Sequence, residues 1–162
     1  MTVIEEYVTL RPDVTTFLST DKKLYIGGKW LPAQTGQRFE TLNPSTGTHL
    51  AQVARGAAGD VDLAVQAARL AFDSGPWRHQ LSPSDRCKLM WRLADLLEER
   101  ADILAQLDSL DNGKPVTTAR SVDVPLSAEH LRYYAGWPTK MEGATIPVNQ
   151  ANMFNYTVRE PI

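Results

Sequence analysis

The chain has 162 residues, 43% of them hydrophobic and 22% charged, which is enough for one domain and ordinary for a globular protein. A net charge of −2 gives no electrostatic footprint for nucleic acid or an anionic membrane. One cysteine excludes an internal disulfide, and no apolar run is long enough to span a bilayer. Met1-Thr2-Val3-Ile4-Glu5-Glu6 places an acidic pair where a secretory signal needs basic residues, so the expected compartment is the cytoplasm.

Residues 1–22 show no clean period and read as a loosely docked leader with a short helix near Val14–Leu18. Leu24-Tyr25-Ile26 and Lys29-Trp30-Leu31 flank Gly27-Gly28, the pattern of a tight hairpin whose two central residues need positive φ. A second strand pair is expected at Arg38–Leu42 and His49–Val53, around the turn-rich Asn43-Pro44-Ser45-Thr46-Gly47.

Ala58–Ser74 carries an apolar stripe of Val61, Ala64, Val65, Ala68 and Phe72, so a helix buried on that face is expected. Asp60 and Asp62 suit the positive end of its dipole, while Ala57-Ala58-Gly59 supplies no side-chain cap. Ser82-Pro83-Ser84-Asp85 opens a second helix, expected to run unbroken to Leu110. Its buried stripe would be Met90, Leu93, Ala94, Leu97, Ala101 and Leu104, opposite a solvent face of Arg92, Asp95, Glu99 and Asp102. Asn112-Gly113-Lys114-Pro115 ends it with a left-handed cap. A third helix over 118–134 would place Val122, Leu126, Glu129, Tyr133 and Trp137 on one face, with a kink or restart at Pro125. Gly143 to Ile162 reads as an extended hairpin with alternating Phe154, Tyr156 and Val158.

No motif in this order carries catalysis. The spacing of the glycines excludes a dinucleotide fingerprint and a phosphate-binding loop. His49, His79 and His130 lie too far apart for zinc-ligand spacing. Cys87 reads as a small, partly buried helical residue; a nucleophile would need a base and a lowered thiol pKa. Tyr133, Tyr134 and Trp137 read as packing, and Glu98-Glu99 with Asp108 and Asp111 as a solvated face and a helix end. Asn155-Tyr156-Thr157 is a glycosylation sequon without a signal peptide.

From Leu24 to Ile162 the chain nevertheless resembles, segment by segment, the N-terminal portion of the NAD(P)-dependent aldehyde dehydrogenases. The segments are Leu24-Tyr25-Ile26-Gly27-Gly28-Lys29-Trp30, Asn43-Pro44-Ser45-Thr46-Gly47 and Asp60-Val61-Asp62. They continue with Arg92-Leu93-Ala94-Asp95-Leu96-Leu97-Glu98, Leu110-Asp111-Asn112-Gly113-Lys114-Pro115 and Leu131-Arg132-Tyr133-Tyr134-Ala135-Gly136-Trp137. Gly143-Ala144-Thr145-Ile146-Pro147 and Tyr156-Thr157-Val158-Arg159-Glu160-Pro161-Ile162 complete the series. Each piece is weak alone; their order and spacing are specific.

The resemblance implies an α/β fold: the N-terminal part of the aldehyde dehydrogenase fold, with β-hairpins, three helices and a β-hairpin oligomerisation arm. The Rossmann-like core and catalytic domain would be absent. It divides the chain into a leader (1–22), a flank of the cofactor-binding domain (23–140) and the arm (141–162). In such enzymes a cysteine thiolate attacks the aldehyde, hydride passes to NAD or NADP, and a glutamate activates water on the thioester. The nucleophile, the glutamate and the cofactor site all lie beyond the position matching Ile162, and Cys87 matches none of them. No catalytic or cofactor-binding residue is therefore carried over, and the chain alone is expected to be inactive and to bind no cofactor. Thr41, Leu42 and Asp111 match positions that hold a monovalent cation, K+ or Na+, through an incomplete oxygen-ligand set. Helix-end hydrogen bonding is the alternative for Asp111. The expected partners are an aldehyde substrate and further copies of the parent in a dimer or tetramer, without nucleic acid or membrane. The alternative function is a non-enzymatic module that binds related full-length subunits.

Overall fold

A computed structural model describes residues 9–160. The acidic start, the beginning of the leader and the last two residues of the expected return strand lie outside the described residues. Among the described residues, three separate two-stranded antiparallel sheets punctuate a helical body. A short helix, α1 (Pro12–Leu18), comes first. It is not loosely docked: Val14 is fully buried and forms a cluster with Leu50 and Leu110, flanked by Leu10, Leu18, Ile103 and Leu107. Arg11 N–H donates to Gln106 Oε1 at 3.0 Å, pinning the entry to α1. Beyond it, Lys22 exchanges backbone hydrogen bonds with Gln52 and Ala54 at 2.7 and 2.8 Å.

β1 (Leu24–Ile26) and β2 (Lys29–Leu31) pair through Gly27 and Gly28, with φ of 58° and 79°, the double left-handed turn that two glycines adopt without strain. β3 (Arg38–Leu42) and β4 (His49–Ala54) form the second hairpin. Its register slips between Thr41, opposite Ala51, and Leu42, opposite His49. Leu50 is the extra residue of this bulge. The bulge explains why two neighbours, Leu50 and Ala51, are both buried, which a regular pleat forbids.

α2 (Ala58–Ser74) has the expected bounds but not the expected burial. Val61 and Val65 of its stripe are 58% and 60% exposed, and Ala64 and Ala68 are also exposed. Periodicity identifies an apolar face; it does not supply a partner for it. After α3 (Pro76–His79), the long second helix is two helices, α4 (Pro83–Glu99) and α5 (Ala101–Asn112). Arg100, at φ −110° and ψ 18°, leaves helical geometry and reorients the chain. Ser82 caps α4, its Oγ accepting from Asp85 N–H at 3.2 Å. Of the expected stripe, Ala94 and Ala101 are buried and Leu93 is exposed.

The third helix is also interrupted. α6 (Val116–Thr118) passes into a π-helical turn, Ala119–Asp123, and then α7 (Val124–Ala135). Pro125 has no N–H and its ring crowds the carbonyl four residues back. The widened turn absorbs this, with Val124 N–H donating to the Ala119 carbonyl. The inward face is Ala119, Val124, Ala128 and Ala135. Val122, Leu126, Tyr133 and Trp137 share the outward face instead. Tyr133, Tyr134 and Trp137 meet edge-on but remain exposed, so they are not core packing.

α7 lies against α4 through small buried residues, Ala94 on one helix and Ala128 and Ala135 on the other. Arg132 latches this seam. Its guanidinium donates to Asp95 Oδ1 at 2.7 Å and to Glu98 Oε1 and Oε2 at 2.9 and 2.6 Å, and packs 5.4 Å from the Trp91 ring centre. Asp95 and Glu98 are thus paired across helices while their side chains stay 46% exposed. The hairpin β5 (Thr145–Ile146) and β6 (Asn155–Tyr156) closes the described chain, exposed throughout. Among the described residues no helix is long and apolar enough to cross a membrane.

The bidentate hydrogen bond from Arg132 holds the Glu98 carboxyl below its ordinary pKa. The folded state therefore binds this proton less readily than the unfolded chain. The stabilisation is full above the ordinary glutamate pKa, about 4.3, and is lost as pH falls through the depressed value. Between pH 6 and 3, Glu98→Gln should flatten the acid limb of thermal stability relative to the parent. Parallel pH profiles of the two chains would show that the latch carries no such linkage.

Candidate functional site

The turn between β3 and β4 meets the end of α5. Asn43 is buried; its Oδ1 accepts from Ser45 N–H at 2.9 Å, and its backbone carbonyl accepts from Gly47 N–H at 2.7 Å. This Asx turn fixes the Asn-Pro segment. Gly113 ends α5 at φ 80°, and a Cβ placed there would lie 3.1 Å from Pro44 Cγ and 3.2 Å from Ser45 Oγ. Gly113 is thus required both for the left-handed cap and for close approach of the turn.

This contact sets Asp111 beside β3. Thr41 Oγ1 donates to Asp111 Oδ1 at 3.1 Å across 70 residues of sequence. Leu42, on the other side of the bulge, continues the same edge. The structure therefore brings Thr41 and Asp111 together, with Leu42 the next residue along β3. One carboxylate and one hydroxyl meet there, and oxygen donors are the kind that suit a hard monovalent cation. Among the described residues no group of three His, Cys, Asp or Glu side chains could hold a metal ion. A cavity of about 420 Å³ opens beside Asp111, with Leu50, Leu104 and Leu107 in its wall and Asp108 at its edge.

Asp60 is a position whose role the sequence pattern understated. It is 4% exposed, and its carboxylate accepts from Gln34 N–H at 3.0 Å and from Ala57 N–H at 2.9 Å. It thereby caps α2 from the third helical position and ties that helix to the loop after β2. An acid three residues past an uncapped Ala57 was the available signal. Cys87 sits half-buried on α4.

Residues 30–162 match the family model described as the aldehyde dehydrogenase family. The chain belongs to the aldehyde dehydrogenase family. DhaS of Bacillus subtilis, named as an aldehyde dehydrogenase, is 54% identical over 147 residues, 91% of this chain and 29% of DhaS. The mitochondrial aldehyde dehydrogenase of Mesocricetus auratus is 47% identical over 86% of this chain and 28% of its own length. The solved NAD+ complex of aldehyde dehydrogenase from Bacillus cereus superposes with a TM-score of 0.89 at 45% identity, covering 95% of this chain and 31% of that one. The chain thus spans under a third of the relatives it matches.

Gly113→Ala tests the geometry of the Asp111 corner. It should cost about 1–2 kcal/mol from the left-handed backbone alone, with more from the contact with Pro44, read as a fall in unfolding midpoint. Unchanged stability would mean that the turn and helix end are not held together as described.

Proposed function

We propose that residues 1–162 form the N-terminal flank of an NAD(P)-dependent aldehyde dehydrogenase that oxidises aldehydes to carboxylic acids. In this reading residues 1–22 are the leader and 23–140 support the cofactor-binding domain. Residues 141–162 are an arm that pairs with another subunit. The observation that carries the reading is the match of residues 30–162 to the family, together with the backbone agreement with a solved NAD+ complex. Catalysis belongs to the larger share of the relatives, which these residues do not span. Residues 1–162 are therefore a scaffold: they turn over no aldehyde and hold no nicotinamide cofactor by themselves.

Within this scaffold Asp111, with Thr41 and the carbonyls of Thr41 and Leu42, holds a K+ or Na+ ion in the assembled enzyme. The ion would neutralise Asp111 and tie the β3–β4 turn to α5. The exposed β5–β6 hairpin supports a role in association, because its short strands present unpaired edges alongside exposed Phe154, Tyr156 and Val158. The same observation favours the second reading, a module that binds related full-length subunits. Co-purification with a full-length relative separates the two.

Purified residues 1–162, supplied with NAD or NADP and a panel of aliphatic and aromatic aldehydes, should produce no NADH or NADPH above background. Saturable, protein-dependent formation of reduced cofactor would overturn the scaffold reading.

A further inference from the structure

At the junction of α2, α3 and α4, a cavity of about 450 Å³ is lined by Ala71, Phe72, Trp77, Arg78 and Arg86. This is within the size range of small-molecule sites. Its chemistry differs from that of the Asp111 corner: two aromatic rings and two guanidinium groups surround it. Arg78 stacks 4.4 Å from the centre of the Phe72 ring, and Arg69 approaches the same ring at 5.4 Å. Arg69 shares its charge with Asp73 at 3.7 Å. Asp85, the nearest acid along α4, is engaged by Ser82 and Lys88. Arg78 and Arg86 have no carboxylate partner among the described residues. Arg86 Nε is, moreover, buried without any hydrogen-bond partner.

A buried, unpartnered guanidinium N–H is costly, because it has lost water and gained nothing in return. An anion in the cavity removes that cost. Guanidinium groups match the planar, two-oxygen geometry of a carboxylate. Phe72 and Trp77 offer faces against which a flat apolar body can lie. We propose that this cavity is a binding site for an aromatic carboxylate, with its charged end on Arg86 and Arg78 and its ring against Phe72 and Trp77. The site is independent of the activity proposed above and of the Asp111 corner.

Titrating the chain with 2-naphthoate, followed by NMR of the Trp77 indole N–H and the arginine Nε–H signals, tests it. Saturable shifts of Trp77 and Arg86 are expected, with acetate and the uncharged 2-naphthylmethanol each at least about tenfold weaker. Arg86→Gln and Arg78→Gln should each weaken binding about tenfold or more. Arg78 lies on a short helix and makes no ion pair, so its variant carries the test if Arg86→Gln fails to fold. Absence of saturation at 10 mM naphthoate (roughly the limit of specific recognition, given a millimolar Kd of only about 4 kcal/mol) overturns the proposal. So does equal binding by acetate, which points to a site for a carboxylate side chain instead, or binding that survives Arg78→Gln.

Discussion

The leader helix, the second hairpin and the fifth helix converge on one small apolar contact, where Val14 of α1, Leu50 of the β4 bulge and Leu110 of α5 close on one another. Among the described residues Val14 is the largest side chain that is essentially fully buried. This contact is the apolar junction of the leader, the second hairpin and the fifth helix, and the hydrogen bonds of Arg11 to Gln106, Lys22 to Gln52 and Thr41 to Asp111 join the same three elements around it. The bulge is what allows it, because it turns Leu50 inward beside Ala51. α5 then carries the consequence forward, since its far end delivers Gly113 to the Asn-Pro turn and Asp111 to Thr41.

The rest of the body is held by small residues and charges. Alanines line the seam of α4 and α7, and Arg132 closes it over Asp95 and Glu98. Small side chains allow close helix approach but bury little area each, and the bidentate pairing of Arg132 adds a directional contact across the seam. Elsewhere, substantial apolar surface is uncovered: Val61, Val65 and Leu70 on α2, Tyr133 and Trp137 on α7, and Phe154 and Tyr156 on the arm. Exposed apolar surface on this scale marks faces made for contact. The chain spans under a third of its relatives' length.

Features that depend on local backbone chemistry were legible in the sequence. Gly27-Gly28 announced a double left-handed turn, Ser82-Pro83 a capped helix start, and Asn112-Gly113 a helix stop. All of these are decided within a few residues. Features that depend on a partner were not. The stripe on α2 is correctly helical, yet it lies in solvent, because periodicity cannot say what covers a face. The break at Arg100 has no proline or glycine to mark it. The π turn before Pro125 follows from the proline, but whether the helix kinks, restarts or widens depends on packing against α5. Arg132 could not be matched to Glu98, 34 residues away, from spacing. At the Asp111 corner, the family resemblance singled out Thr41, Leu42 and Asp111, and the hydrogen bond between Thr41 and Asp111 goes with the close approach of Gly113 to the Asn-Pro turn.

The central claim is that a tight core around Val14, Leu50 and Leu110 supports faces that this chain does not itself cover. Amide hydrogen exchange on residues 1–162 measures this directly, because protection reports the free energy of local opening. The account predicts the strongest protection in α5 and β4 and across the α4–α7 seam, with α2 and the β5–β6 hairpin exchanging far faster. Uniform protection from α2 through the hairpin would contradict it.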